Sequence, residues 1–229
     1  MKEKTVHRSV RSYVLRQGRI TPAQERAIEQ HWQTYGIDYR PEPLDLNQTF
    51  GRTAPKILEI GVGTGETTIA LAGSRRENDY LALEVHRPGI GRLIMELAAQ
   101  QLTNVRVICH DAVEVLNRQI PDNSLEQILI FFPDPWPKKR HHKRRLIQPA
   151  FVTLLSRKLQ EHGRILLATD WQDLAEHMLH TCDASTDLIN LAGRGRFAPR
   201  PKWRPLTKFE QRGRRLQHAV WDLIYCAKK

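Results

Sequence analysis

The chain has 229 residues, of which 40% are hydrophobic, enough for one sizeable core with appendages. Lysine and arginine outnumber aspartate and glutamate by 36 to 25, and the resulting net charge of +11 favours a polyanionic partner. Three distant cysteines fit neither a disulfide framework nor a zinc site, and neither a signal-peptide core nor a membrane-spanning apolar run is seen. We therefore expect a cytoplasmic protein that does not associate with membranes.

The first fifty residues predict a helical appendage. Thr21 can cap a helix with Pro22 in its first turn, and Gln24 completes a capping box at the head of the stretch PAQERAIEQHW. The segment PEPLDLNQTFGRTAP then reads as a proline-rich connection. We expect residues 1–50 to form the appendage and residues 51–229 to form the main domain.

From Lys56 onward, short apolar runs alternate with helical stretches. The runs predict buried parallel strands over KILEI, YLALE, VRVIC, QILIFF and RILLATD. Helices are predicted over TTIALAG, PGIGRLIMELAAQQL, AVEVLNRQ and RRLIQPAFVTLLSRKLQ, the last ending near Gly163. This alternation predicts an α/β fold with a doubly wound, mostly parallel sheet. DLINLA and HAVWDLIY have strand character and are expected to add an antiparallel pair.

Acidic residues lie at or just beyond the carboxyl ends of all five predicted parallel strands. In chain order they are Glu59, Glu84, Asp111, Asp134 and Asp170. Open α/β sheets bind ligands outside these strand ends, at the topological switch point. Any one of these acids is usually a solvated loop residue. Five around one crevice in a basic chain favour a ligand with positive charge and many hydroxyl or amino donors.

The turn after the first strand, EIGVGTGETT, predicts a nucleotide-type ligand. Gly61, Gly63 and Gly65 allow the backbone to approach a ligand closely. Glu66 follows where a dinucleotide would place its pyrophosphate, and a carboxylate there would repel phosphate, which disfavours NAD. S-adenosylmethionine carries a sulfonium and an ammonium but no phosphate, so it tolerates nearby acids. We therefore predict S-adenosylmethionine as the cofactor.

Each strand-end acid can be given a role toward that cofactor. Glu84, about 20 residues after the glycine turn, is expected to accept both ribose hydroxyls. Asp111 is expected to meet the adenine amino edge, and Glu59 to face the methionine ammonium directly or through water. Asp134 is expected to reach the part of the crevice that holds the transferable methyl group.

The segment FFPDPWPKKRHHKRR combines this acid with a dense basic run. Pro133 and Pro135 restrict the backbone around Asp134, which suits a preorganised site. Trp136 fits equally well as a stacking surface for a base and as a packed core or hinge residue. The run KKRHHKRR begins at the ligand end of the sheet, so we expect phosphate contacts there rather than a solvated helix start. Its histidines are not spaced as metal ligands, and no metal is expected.

A second basic segment, RPKWRPLTKFEQRGRR, lies near the carboxyl terminus. It presents a hydroxyl, a cation, an aromatic ring and an acid in succession, as Thr207, Lys208, Phe209 and Glu210. The segment is either a basic connecting loop or part of the site. Topology is expected to bring it to the same end of the sheet as Asp134.

At these residues the chain resembles the bacterial tRNA (guanine-N7-)-methyltransferases. The resemblance covers RSYVLRQGRITPAQ, LEIGVGTGE, LEVHRPGIG, FFPDPWPKKRHHKRR, ATDW and RPLTKFEQRG, and so nearly the whole chain. PDPWPKKRHHKRR and TKFEQRG are specific to that family, whereas the glycine turn is common to methyltransferases. The resemblance implies a seven-stranded, Rossmann-like fold of S-adenosylmethionine-dependent methyltransferases.

The resemblance also implies a substrate, a guanine at position 46 in the variable loop of tRNA. It implies cofactor contacts from Glu59, Glu84, Asp111 and Asp134, the last of which has the active-site role. The implied substrate-binding residues are Lys138, Asp170, Thr207, Lys208, Phe209 and Glu210. Residues 1–50 become candidates for contact with tRNA. No obligatory protein partner is implied, and a monomer and a homodimer both remain open.

The chemistry leaves Asp134 a limited role. Guanine N7 has a free lone pair at neutral pH, so its methylation needs no base, and we interpret Asp134 as an electrostatic and positioning residue. Two alternative functions remain open. PDPW has some likeness to the D-P-P-[YW] motif of enzymes that methylate exocyclic amines. The other alternative is a non-catalytic RNA-binding module on a methyltransferase fold, although the presence of all five strand-end acids argues against it.

Overall fold

The computed structural model describes residues 11–13, 18–207, 210–211 and 219–229. In chain order, the elements within these ranges are α1 (Pro22–Tyr35), α2 (Leu46–Phe50), β1 (Lys56–Ile60), α3 (Glu66–Ser74), β2 (Asp79–Leu83), α4 (Arg87–Ala99), β3 (Val105–Ile108), α5 (Ala112–Arg118), β4 (Leu125–Phe131), a 3₁₀ helix (Lys139–Arg144), α6 (Pro149–Lys158), β5 (Leu159–Thr169), α7 (Gln172–Asp183), β6 (Leu188–Asn190) and β7 (Trp221–Ala227).

The strands of the described chain form one seven-stranded sheet in the order β3-β2-β1-β4-β5-β7-β6. Strands β1 to β5 pair in parallel, whereas β7 is antiparallel to both β5 and β6. The predicted doubly wound sheet and its antiparallel pair are therefore confirmed. The order reverses direction between β1 and β4, so a crevice opens outside the carboxyl ends of these two strands.

The sheet is covered on both faces, which explains its continuous apolar strands. Every residue of β1 and of β2 is buried. Leu58 and Ile60 pack in one hydrophobic cluster and Ile57 in the other, because successive strand side chains point to opposite faces. Burial of each such side chain contributes about 1.5–3 kcal/mol, so these strands hold the crevice on a rigid base.

Helix α1 packs against this sheet domain. Its capping box is confirmed: the Thr21 hydroxyl accepts from the backbone N–H of Gln24 at 3.3 Å, and the Gln24 side chain accepts from that of Thr21 at 2.8 Å. The Tyr35 hydroxyl donates to the carbonyl of Leu97 in α4 at 3.1 Å. Within the expected appendage, this described helix therefore shares the hydrophobic core of the main domain, with Ala27 and Ile28 buried.

The last of the four predicted helices, RRLIQPAFVTLLSRKLQ, corresponds to α6, and its predicted boundaries were wrong at both ends. The helix begins at Pro149, not near Arg144, because Gln148 is extended and proline favours the first helical turn. It ends at Lys158 rather than near Gly163, since the chain already pairs with β4 through Leu159 and Leu125. The residues just before it, Lys139–Arg144, form a 3₁₀ helix.

A short helix, α2, interrupts the predicted proline-rich connection. The Asp45 side chain caps its first turn by accepting from the backbone N–H of Gln48 at 2.9 Å. Gly51 ends it in the left-handed conformation, with φ of 71°. No helix in the described ranges is both long enough and apolar enough to cross a membrane.

Candidate active site

A cavity of about 400 Å³ opens at the carboxyl ends of β1, β2 and β4, where the strand order reverses. The predicted residues Gly61, Gly63, Glu84 and Asp134 all line it. Ser12 and Tyr13, more than a hundred residues away from Asp134 in the chain, line it as well. The crevice expected from the topology therefore has walls from the sheet and from the amino-terminal segment.

The glycine turn after β1 presents its backbone to this cavity. Gly61 and Gly63 have φ of 78° and 57°, and a Cβ added at either position would meet no atom within 4 Å. Gly65, with φ of 82°, differs because a Cβ there would lie 2.4 Å from Cδ1 of Leu93. Gly61 and Gly63 therefore leave room for a ligand, whereas Gly65 allows α3 to pack closely against α4.

Glu84, which follows β2, ties the glycine turn to the cavity. Its carboxylate accepts from the backbone N–H of Gly63 at 2.8 Å, of Val85 at 2.7 Å and of His86 at 2.9 Å. A carboxylate has about four lone-pair sites, so acceptor capacity remains for hydroxyl donors of a ligand. The three backbone bonds hold the carboxylate in a fixed orientation, as the predicted ribose contact requires.

Asp111 lies beside the cavity, between the two lining residues His110 and Ala112. One of its oxygens caps α5 by accepting from the backbone N–H of Val113 at 2.8 Å and of Glu114 at 3.2 Å. Burial, and next the negative charge of Asp111, raise the pKa of the Tyr13 phenol. The predicted adenine contact is thus positioned by the start of a helix.

Glu59 occupies a different position from the other strand-end acids. It is only 5% exposed, it is absent from the described residues that line the cavity, and it accepts a hydrogen bond from the Thr68 hydroxyl in α3. Burial raises the pKa of Glu59 from 4.5 to about 7, although the Thr68 hydrogen bond opposes this shift. Glu59 therefore joins β1 to α3, the two elements that flank the glycine turn.

Replacing Glu59 with glutamine is expected to change how stability depends on pH. Between about pH 5 and 7 the folded protein keeps a proton on Glu59 that the unfolded chain releases, so this residue makes folding less favourable as the pH rises. Relative to Glu59→Gln, the unfolding free energy of the wild type should fall by about 1.4 kcal/mol per pH unit in that window. Urea titrations at several pH values measure this difference.

Glu29→Gln provides the matched control for this experiment, because Glu29 is exposed on α1. Its unfolding free energy should follow that of the wild type at every pH. If the unfolding free energies of the wild type and Glu59→Gln changed equally with pH, Glu59 would not carry the additional proton in the folded state.

Two residues around Asp134 hold an unusual backbone conformation. Phe132 and Trp136 have φ of 51° and 46°, in the left-handed region that non-glycine residues rarely adopt. Such conformations cost about 1–3 kcal/mol each and persist only where neighbouring contacts hold them. Here the Trp136 indole donates to the carbonyl of Ser12 at 3.0 Å, and Arg145 donates to that of Pro135 at 3.1 Å. The exposed Asp134 is therefore held on a constrained loop.

The basic run after Asp134 is divided between surface and structural roles. Lys138 is exposed. The guanidinium of Arg144 lies 4.0 Å from the centre of the Trp136 ring and donates to the carbonyls of Arg11 at 3.2 Å and Tyr13 at 3.3 Å. Arg145 is buried and pairs with Asp173 at the start of α7. Lys138 thus remains open to phosphate, whereas the two arginines support the site.

The second predicted substrate segment contains a buried ion-pair cluster. The Glu210 carboxylate is fully buried and pairs with Arg200 at 2.9 Å and with Arg204 at 2.6 Å. The Thr207 hydroxyl accepts from the backbone N–H of Glu210 at 3.2 Å. Lys208 and Phe209 lie outside the described residues. Asp170, which is partly exposed, directly follows β5.

Some features of the site depart from the sequence-based reasoning. Glu66, which disfavoured a phosphate ligand, lines a separate cavity between α1, α3 and α4. Ser12, Tyr13 and Arg204 were not predicted, because no local pattern marks contacts between segments so far apart in the chain. Among the described residues, no three histidine, cysteine or acidic side chains come together as a metal site would require.

Comparison with protein families relates the chain to methyltransferases. A family model described as "Putative methyltransferase" matches residues 53–223. A tRNA (guanine-N(7)-)-methyltransferase of Nitrosospira multiformis is 53% identical over 229 residues, which cover all of this chain and 99% of the relative. Its counterpart in Aeromonas hydrophila is 52% identical over 218 residues, covering 95% of this chain and 92% of the relative.

Solved structures with little sequence similarity share the fold. The 16S rRNA methyltransferase KamB superposes with a TM-score of 0.60 at 14% identity, covering 82% of this chain and 95% of that one. An rRNA methylase from Streptococcus thermophilus gives a TM-score of 0.51 at 9% identity, covering 77% and 88%. These similarities confirm the predicted Rossmann-like methyltransferase fold.

Proposed function

Because the chain belongs to the tRNA (guanine-N(7)-)-methyltransferase family, we propose that this methyltransferase transfers a methyl group to N7 of guanine 46 in the variable loop of tRNA. The observation that carries this proposal is the cavity at the switch point, where an open glycine turn meets Glu84 and Asp134. The net charge of +11 on the whole chain suits a polyanionic substrate in the cytoplasm.

The methyl donor in this proposal is S-adenosylmethionine, which supplies a methyl group bonded to a sulfonium. The absence of Cβ atoms at Gly61 and Gly63 leaves space for its close approach. Glu84 would accept the ribose hydroxyls, and Asp111 would receive the adenine amino group. The buried Glu59 would act on the methionine end through the turn or through water. A cavity of about 400 Å³ is in the usual range for a cofactor site.

Asp134 would position the guanine and stabilise the transition state. The product ring is cationic, so a carboxylate near the guanine favours the charge that develops during transfer. The same carboxylate can accept from the guanine N1–H and exocyclic amino group, which orients N7 toward the methyl group. Correct alignment of reacting atoms can supply up to about 7–11 kcal/mol of the barrier reduction. The constrained backbone around Asp134 supports this positioning role.

The remaining substrate contacts would come from both basic segments. Lys138 would bind phosphate from the exposed start of the first segment. Asp170 and Thr207 would contact the nucleoside, together with Lys208 and Phe209. Glu210 itself is fully buried and held by two arginines, which favours an organising role at this end of the site.

Replacing Lys138 with glutamine is expected to weaken tRNA binding and to reduce its salt dependence. Loss of one phosphate contact should lower the slope of log K against log salt by about 0.7–0.9. Filter binding between low and high salt measures the slope. An unchanged slope would mean that Lys138 belongs only to solvated surface.

Arg144→Gln, in the same basic run, is the paired variant with a different expected effect. Its guanidinium holds the backbone of residues 11 and 13, and Ser12 and Tyr13 line the cavity at the switch point, here called the donor cavity. Loss of these bonds should weaken S-adenosylhomocysteine binding about tenfold, whereas Lys138→Gln should leave it unchanged. Equal effects of the two variants on the affinity for S-adenosylhomocysteine would contradict the different roles assigned to Lys138 and Arg144.

The direct test of the proposed function uses unmodified tRNA and a donor with a labelled methyl group. Incubation with the protein should label one guanine in the variable loop, and nucleoside analysis should identify it as 7-methylguanosine. Label on an exocyclic amine would contradict N7 transfer. Binding of tRNA without any transfer would indicate a non-catalytic module.

A further inference from the structure

Arg204 is a buried cation that joins three parts of the candidate site. Its side chain is 1% exposed, and it pairs with Glu210 in the second basic segment and with Asp222 in β7. We infer that Arg204 is a positioning residue for the guanine-binding side of the site, an inference that rests on the proposed function. It acts by fixing Glu210 and the loop that carries Asp134 relative to the same strand ends.

The contact with Glu210 has the geometry of a fork. Nη1 of Arg204 donates to Oε2 of Glu210 at 2.6 Å, and Nη2 donates to Oε1 at 3.3 Å. The guanidinium also reaches Asp222, with Nη2 at 3.1 Å from Oδ2 and Nε at 2.9 Å from Oδ1. One planar cation therefore orients two carboxylates at once, which a lysine ammonium cannot reproduce.

Arg204 lies across the ends of three neighbouring strands. Phe131 of β4 pairs with Ala168 of β5, and Ala168 pairs in turn with Asp222 of β7. Arg204 binds Asp222 at one side of this row, and its guanidinium carbon lies 5.6 Å from the ring centre of Phe131 at the other. The predicted substrate residues Asp134 and Asp170 follow the same strand ends.

The same guanidinium contacts the loop that presents Asp134. Its carbon lies 5.8 Å from the ring centre of Phe132, whose φ of 51° marks the strained start of that loop. A displaced Phe132 ring would release this conformation two residues before Asp134. Arg204 therefore constrains the loop through ring packing while it constrains Glu210 through hydrogen bonds.

Charge balance explains why the position needs a cation. Arg200 and Arg204 face Glu210 and Asp222, so the described cluster holds two positive and two negative side chains. Burial raises the pKa of Asp222, and the charge of Arg204 opposes that effect. Without Arg204, the described cluster would keep both carboxylates but lose one of its two cations, and Glu210 would lose the forked contact that orients it.

The test compares Arg204→Met and Arg204→Lys with the wild-type enzyme, using tRNA methylation and calorimetry with S-adenosylhomocysteine. Arg204→Met should lower kcat/KM for tRNA about 100-fold, the cost expected when reacting groups move by about 1 Å. Arg204→Lys keeps the buried charge and therefore the fold, but loses the fork. The kcat/KM of Arg204→Lys for tRNA should therefore be about tenfold higher than that of Arg204→Met. The Kd for S-adenosylhomocysteine should change by less than about tenfold in both variants, because Arg204 contacts the cavity-lining rings of Phe131 and Phe132 but is not itself among the cavity-lining residues.

Lys158→Met is the matched control for removal of a buried cation. Lys158 pairs with Asp122 at 2.5 Å and precedes β5, at the end of the sheet opposite the cavity. This variant should lower thermal stability but leave kcat/KM for tRNA within about twofold of wild type when assayed well below its melting temperature. A loss of activity as large as that of Arg204→Met would assign the effect to stability and overturn the inference.

A double-mutant cycle with Glu210→Gln separates positioning from direct contact. Replacement of Arg204 should have a smaller effect in the Glu210→Gln background than in the wild type, because the route through Glu210 is then already lost and the contact with Phe132 remains. Equal effects in the two backgrounds, or a folded Arg204→Lys enzyme with wild-type kcat/KM, would overturn the inference. These outcomes can be distinguished from a failure of the proposed function. In that case the wild-type protein itself would leave guanine N7 of tRNA unmethylated.

Discussion

Replacing Asp134 with asparagine is expected to lower kcat for tRNA methylation by about 10²–10³-fold, the range seen when one transition-state-stabilising group is lost. Asparagine keeps the size of the side chain and one acceptor oxygen, but it removes the negative charge that favours the cationic product ring. Affinity for tRNA should change by no more than about twofold, because most of that affinity comes from phosphate contacts. Single-turnover kinetics and filter binding measure the two quantities separately.

Asp187→Asn is the control for this substitution. Asp187 is exposed and precedes β6, at the opposite end of the sheet from the cavity. This variant should have wild-type kcat. Wild-type turnover in Asp134→Asn would exclude an electrostatic role for Asp134. A loss confined to tRNA affinity would instead make Asp134 a binding residue without effect on the chemical step.

Replacing Glu84 with glutamine is expected to raise the Kd for S-adenosylhomocysteine by about 100-fold. Hydrogen bonds to a charged group contribute about 1.5–3 kcal/mol each, and two ribose hydroxyls are expected to donate to this carboxylate. The glutamine amide also replaces an acceptor with a donor, which conflicts with the backbone N–H groups of Gly63, Val85 and His86. Calorimetry measures the affinity for the cofactor product, and filter binding shows whether tRNA still binds.

Glu96→Gln is a suitable comparison, because Glu96 lies on α4 outside the cavity and pairs there with Arg92 at 2.6 Å. It should bind S-adenosylhomocysteine as the wild type does. Unchanged affinity in Glu84→Gln would contradict the ribose contact. If Glu84→Gln also lowers the melting temperature strongly, the carboxylate acts mainly by holding the glycine turn, and the ribose contact would need another acceptor.

The two sides of the candidate site share several contacts. Trp136 and Arg144 follow Asp134 in the chain, yet they hold the backbone of residues 11–13 beside the donor cavity. Under the proposed function, we expect binding of tRNA to this segment to alter the affinity for the donor, and binding of the donor to alter the affinity for tRNA by the same factor. The variants at Lys138 and Arg144 test the two effects separately, because Arg144 contacts the described residues 11 and 13, whereas Lys138 is exposed.

The local pattern of the sequence determined the elements and the general location of the site. The apolar runs predicted the five parallel strands, and β1 coincides with KILEI. The capping box at Thr21 predicted the start of α1, and the glycine turn predicted a ligand-binding loop after β1. These features depend on neighbours a few residues apart, such as alternating side chains or a cap three residues from its partner, so the sequence displays them directly.

Only the tertiary structure decided which acids face the cavity and which basic residues support it. Glu59 is buried against Thr68, unlike the exposed strand-end acid Asp134, and Arg145 is buried against α7, unlike the exposed Lys138 of the same basic run. Arg204 meets Glu210, Asp222 and Phe131 at once, and Tyr13 meets the cavity across more than a hundred residues. Burial and ion pairing depend on which segments the sheet brings together, and the free energy of a charged group changes far more with that environment than with its neighbours in the chain.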